Sequence, residues 1–250
     1  MVNDKDLQEV VQMLDDACKD IGFFYVKGHG ICELLMKEVR DVAQKFFQLP
    51  YEEKMKIKMT RQNGYRGYQR LGEFITMGKP DMHEAINYLT PIVPDLSRKI
   101  MRGIALALGG PVDAFEGTIA GDPYWGIRLV SYPGWLIDIP EEKCANTGIS
   151  KTTGLLTLVN QDDDICALEV QNQSGEWIHA RPIPGTFVCN IGDMLELKPL
   201  MQTNFDTAIE PVGFCKKKTG GVAKYEKVVM CLNHYYNRLI IIVSSGDSSS

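Results

Sequence analysis

The imidazoles are the side chains best suited to hold a metal or move a proton near neutral pH. There are four histidines, His29, His83, His179 and His234. Imidazole and carboxylate groups set on a common face are what a borderline divalent metal takes up. None of the four histidines is followed two residues later by an acid. His29 lies in a Gly28-His29-Gly30 turn, and His83 precedes Glu84 in what reads as the helical part. His179 is expected at a strand end as a rim or packing residue, and His234, in an aromatic run, is expected to be exposed and not to ligate. Asp162-Asp163-Asp164 is read as a solvated turn, not an oxygen-ligand site. Seven cysteines, an odd number without a Cys-x-x-Cys, fit neither a disulfide framework nor a thiolate zinc site and read as reduced thiols.

The elements that must position these residues fall into two halves. Leu7, Val10, Val11, Leu14 and Cys18 recur at helical spacing, so Asp6 to Lys19 is a helix ended by Gly22. Phe23 to Val26 is a short strand. Leu35, Val39, Val42 and Phe46 mark the buried face of a second helix that stops before Pro50, with Tyr51 to Met59 as a short successor. Gly64 to Arg70 is a glycine-punctuated loop. Leu96, Ile100, Ile104 and Leu108 mark a further helix stopped at Gly109-Gly110. Beyond it the pattern changes to short strands: Tyr124 to Tyr132, Gly154 to Asn160, Ala167 to Asn172, Trp177 to Arg181, Thr186 to Ile191 and Val228 to Leu232. Alternation at Leu156 and Leu158, then Leu168 and Val170, predicts strands with one buried face. The fold expected is α+β, helices first and then a β sandwich or jelly roll.

Composition narrows the function. The net charge is −5 and the only basic run is Lys216-Lys217-Lys218, so no stripe exists for a phosphate backbone and nucleic acid is not expected as a partner. The first residues are polar and the longest aliphatic run, Leu239 to Val243, is too short to span a bilayer, so the expectation is a cytoplasmic protein without a membrane partner. That run is aggregation-prone by composition, and the serine-rich stretch from Ser244 to Ser250 is expected to be disordered.

Taken together, certain stretches resemble plant-type 2-oxoglutarate/Fe(II)-dependent dioxygenases, the group that includes isopenicillin N synthase-like enzymes. The N-terminal part carries Gly22-Phe23-Phe24-Tyr25-Val26, Gly28-His29-Gly30-Ile31, Phe46-Phe47-Gln48-Leu49-Pro50 and Gly64-Tyr65-Arg66-Gly67-Tyr68. The β part carries Gly154-Leu155-Leu156-Thr157-Leu158, Gly175-Glu176-Trp177 and Pro182 to Asp193, in the family's order. The resemblance implies an N-terminal segment over residues 1–93, a connecting helix over 94–117, an incomplete double-stranded β-helix over 118–238 and a tail over 239–250.

The resemblance also implies Fe(II) and 2-oxoglutarate, and it is at their ligands that this chain departs. Aligned on Gly154, Ser150 stands where the family has histidine and Thr152 where it has aspartate. The strands with the third ligand and the cosubstrate-binding Arg-x-Ser belong between Leu195 and Thr203, where only seven residues remain. A second shortening lies between Ile86 and Asp95. Lys224-Tyr225-Glu226 aligns with Arg-x-Ser only as a degraded copy whose glutamate would repel a carboxylate. Arg128 and Tyr132 resemble the strand whose tyrosine can touch 2-oxoglutarate, although its companion asparagine is Val130 here; they are read as a cosubstrate vestige, with plain strand packing an equal reading for Tyr132. The expectation is a non-catalytic chain without cofactor of its own, which self-associates or pairs with a full-length relative. The alternatives are an active oxygenase and a binding module.

Overall fold

Helix α1 (Asp4–Asp20) ends where Gly22 takes φ 78°, a conformation that costs a Cβ-bearing residue, and the Gly22 amide caps the helix on Ala17 O at 2.8 Å. The computed structural model describes residues 4–73, 75–76, 79–90, 95–116, 125–133, 156–172, 174–191, 208–209, 228–229 and 237–245. After α1 come β1 (Phe23–Lys27), α2 (Glu33–Phe47), α3 (Tyr51–Met55), β2 (Gly67–Gln69), β3 (Ile75–Thr76), β4 (Lys79–Pro80), β5 (Glu84–Thr90) and α4 (Asp95–Ala107). The second half holds β6 (Trp125–Pro133), β7 (Leu156–Asn160), β8 (Glu169–Gln171), β9 (Trp177–His179), β10 (Thr186–Ile191), β11 (Ala208–Ile209), β12 (Val228–Val229) and β13 (Asn237–Ser245).

Among the described residues, seven strands form one sheet in the order β1-β10-β7-β13-β6-β5-β2. All its pairings are antiparallel except those of β13, which runs parallel to both β6 and β7. Alternation along the strands makes two unlike faces. On the outer face, Leu156, Leu158, Phe187 and Cys189 pack on Met36 of α2 and on Leu96, Ile100 and Ile104 of α4. Further across it, Tyr68, Ile86, Ile241 and Val243 meet Ala43 and Phe47 of α2. On the inner face, Val159, Val188, Ile240 and Ile242 pack against Val170 and Ala180 of the β8–β9 ribbon. Helices behind a sheet and a ribbon in front of it make an α+β fold of jelly-roll type among the described residues, as expected.

Several expectations need correction. The buried face of α2 is Met36, Arg40, Ala43 and Phe47, one residue round from the predicted one, and Leu35 and Val42 are exposed. The turn brings Arg40 Nη1 to Asn160 Oδ1 at 2.8 Å and Nη2 to the Asp163 carboxylate, anchoring the helix to the end of β7. Strand β7 is buried at all five residues, because helices cover one face and the ribbon the other. The Gly64 to Arg70 stretch is only partly a loop: Gly67–Gln69 pairs with β5 as strand β2. His83 leads into strand β5, not a helix; pairing with β2 and β6 on both sides overrides the helical reading. The largest departure is Leu239 to Val243, which with Ser244 and Ser245 forms β13 in the middle of the sheet instead of a free run before a disordered tail.

Candidate functional site

The inner face is apolar at the β1-β10-β7 end and polar at the β6-β5-β2 end. Arg128 of β6 pairs in register with Asn87 of β5, so the two side chains rise together, and Asn87 Oδ1 accepts from Arg128 Nη1 at 3.1 Å. Gln69 of β2 accepts from Nη2 through Oε1 at 2.9 Å. His83 Nε2 lies 2.7 Å from the same Nη2. A guanidinium only donates, so Nε2 is the acceptor and His83 is neutral with its proton on Nδ1. Burial above all, and then the Arg128 charge, lower the His83 pKa to about 4, with Asp81 pulling the other way. Its ring packs on that of Tyr132, centroids 5.5 Å apart. Burial pushes the Tyr132 phenol up from its ordinary value, against the pull of Arg128 and with a further push from Asp81. The structure brings Arg128 and Tyr132 onto one strand face and sets His83 beside them, with Gln69 and Asn87 joining through register between strands, which local pattern does not display.

A second buried polar group lies on the outer face and serves the fold. Lys54 Nζ donates to Glu84 Oε2 at 2.7 Å and to Phe47 O at 3.0 Å, and Tyr68 OH donates to Glu84 Oε2 at 2.6 Å. Burial, and then the bond to Glu84, raise the Tyr68 phenol well above its ordinary value, so it remains a donor. Together they tie α3 to β2 and β5.

The described histidines do not suit a metal. His29 Nδ1 accepts from the Ile31 amide at 3.1 Å, which leaves Nε2 to donate to Gly185 O at 3.1 Å, so both ring nitrogens pin the turn to the start of β10. His83 is held by Arg128. His179 is exposed on β9, 3.3 Å from Glu169, the rim position expected of it. Asp162, Asp163 and Asp164 form a largely exposed turn. Among the described residues no three His, Cys, Asp or Glu side chains are grouped as a metal ion requires. Ser150, Thr152, His234 and Lys224-Tyr225-Glu226 lie outside the described residues. Hydroxyls, such as those of Ser150 and Thr152, are poor donors for a borderline divalent metal compared with imidazole and carboxylate.

A helix-backed jelly-roll sheet hosts many activities, and comparison with known proteins narrows them. Residues 1–105 match the family model described as non-haem dioxygenase in morphine synthesis N-terminal, and residues 139–208 match the 2OG-Fe(II) oxygenase superfamily. A homoarginine-6-hydroxylase of Oryza sativa subsp. japonica is 60% identical, over 92% of this chain and 88% of that protein. One from Glycine max is 44% identical over the same shares. The chain therefore belongs to the 2-oxoglutarate/Fe(II)-dependent dioxygenase family. The solved structure of a 2OG-Fe(II) oxygenase family protein from Caulobacter crescentus superposes with a TM-score of 0.72, covering 90% of this chain and 92% of that one; at 21% identity it speaks for the fold. The rice match extends over 290 residues, whereas 92% of this 250-residue chain is about 230, so about 60 matched positions have no counterpart here.

Proposed function

We propose that this chain is a non-catalytic member of its family, holding the oxygenase frame without the iron and cosubstrate ligands. The observation that carries the reading is that no histidine in the chain has an acid two residues on; alignment on Gly154 puts Ser150 and Thr152 where the family has histidine and aspartate. Two further features support it. About 60 positions of the rice relative are missing, consistent with the short interval between Leu195 and Thr203. And β13 lays Ile240 and Ile242 on the inner face, side chains that coordinate nothing.

The test is anaerobic titration of the purified chain with Fe(II) and 2-oxoglutarate. No stoichiometric charge-transfer band in the visible is expected, and its growth would overturn the reading. Because its relatives are named homoarginine hydroxylases, turnover should be assayed with homoarginine. We expect no hydroxylated product.

A further inference from the structure

The side of α2 turned away from the sheet carries a pattern that the core does not use. Leu35, Glu38, Val42, Lys45 and Leu49 follow one another at alternating spacings of three and four, which sets them in one line along the helix. Gln48 keeps right-handed helical angles and the Leu49 amide donates to Phe46 O at 3.1 Å, so the line runs on to Leu49 past the last residue of α2. All five are exposed, Leu35 at 53%, Val42 at 63% and Leu49 at 43%, while Met36, Arg40, Ala43 and Phe47 hold the opposite side against the sheet. Single apolar residues scattered on a surface are ordinary, but three in one line point to an occupant.

The two charges in the line say what that occupant is. Its order is apolar, acidic, apolar, basic, apolar, which is complementary to itself when reversed. Turned about a two-fold axis at Val42, a second α2 brings Leu49 to Leu35, Lys45 to Glu38 and Val42 to Val42 along a seam of about 21 Å. Among the described residues neither Glu38 nor Lys45 forms an ion pair within its own chain; Lys45 is drawn towards Asp41 one turn back, but that carboxylate is bonded to Lys37 at 2.7 Å. We propose that α2 is the contact of a homodimer, two copies pairing antiparallel through Leu35, Val42 and Leu49, with Glu38 of each against Lys45 of the other. One helix pair buries less than the about 1,600 Å² of a standard interface, so the dimer is weak and reversible. The seam lies on the far side of α2 from the sheet and goes beyond the non-catalytic reading without resting on it.

The test is sedimentation equilibrium of the full chain from low micromolar to several hundred micromolar. Monomer is expected at the bottom of the range and dimer at the top, reversibly on dilution. Glu38→Lys and Lys45→Glu are exposed substitutions that spare the fold; each alone makes both ion pairs of the seam like-charged and is expected to weaken dimerisation at least tenfold. Mixed in equal amounts, the two variants are expected to pair with each other, because both contacts are then of opposite charge. The double variant, whose net charge is that of the parent, is expected to dimerise as the parent does. A monomer throughout the range, which leaves the face to a different protein, would overturn the proposal. So would association that neither single substitution weakens, or single variants that do not pair when mixed. An iron charge-transfer band would refute the non-catalytic reading and leave this one standing.

Discussion

At the scale of residues, the polar end of the inner face depends on one proton. His83 accepts from Arg128, and protonating it would set a second cation against the guanidinium. Its folded pKa of about 4 lies below the ordinary value of 6.5. Between those values the unfolded chain binds the proton and the folded chain refuses it, so stability is full above the ordinary value and falls as the pH drops towards 4. Allowing for partial exposure, about 1–2 kcal/mol is lost between pH 7 and pH 5. The exposed carboxylates of Asp41 and Glu116, held low by Lys37 and Arg102, act only below that window. Denaturant unfolding at the two pH values should show the loss in the parent chain and a much smaller one in His83→Gln, whose amide can still accept from Arg128. An equal loss in both would exclude His83 as the group responsible.

Among the elements, β13 has the greatest consequence. Strands β6 and β7 run the same way, so the slot between them takes a strand antiparallel to both or parallel to both, and β13 is the latter. Without it the sheet separates into β1-β10-β7 and β6-β5-β2, each with a raw edge, and Ile241 and Val243 leave the core under α2. Unpaired edges with apolar faces associate. A chain ending at residue 236 is therefore expected to lose its cooperative thermal transition and to form oligomers in light scattering. A monomer melting like the parent would show that the two half-sheets stand on their own. Local pattern made α1, β1, α4 and β10 legible, since each buries one periodic face or alternates cleanly. It could not place β13: five aliphatic residues in a row suit an aggregation-prone tail and a strand buried on both sides equally, and only the distant partners β6 and β7 decide. For the same reason Arg128 and Tyr132 could be picked out from their own strand, whereas Gln69 and Asn87 join them through register between strands.

For the molecule as a whole, the family frame is shown and the proposed loss of chemistry is what remains to be measured. Family membership rests on long matches in both halves, while about 60 positions of the rice relative are missing. Restoring two residues should therefore not restore turnover. Ser150→His with Thr152→Asp supplies two of the three protein ligands for Fe(II). Of the described histidines, His29 has both ring nitrogens bonded, His83 faces Arg128 and His179 stands exposed beside Glu169, so none of them completes the set. On the proposed reading the cosubstrate clamp is also missing, because only seven residues separate Leu195 from Thr203. A charge-assisted hydrogen bond contributes about 1.5–3 kcal/mol, and at about 1.4 kcal/mol per factor of ten a lost bidentate arginine weakens 2-oxoglutarate on the order of a hundredfold or more. Both deficits fall on the same complex. The measurement is succinate and carbon dioxide released from 2-oxoglutarate by the double mutant, beside a chain that also carries the missing block grafted from a relative. Release is expected only from the grafted chain. Decarboxylation by the double mutant alone, above the background of free iron, would mean that a third ligand lies outside the described residues, His234 being the remaining histidine, and that the site was never excised.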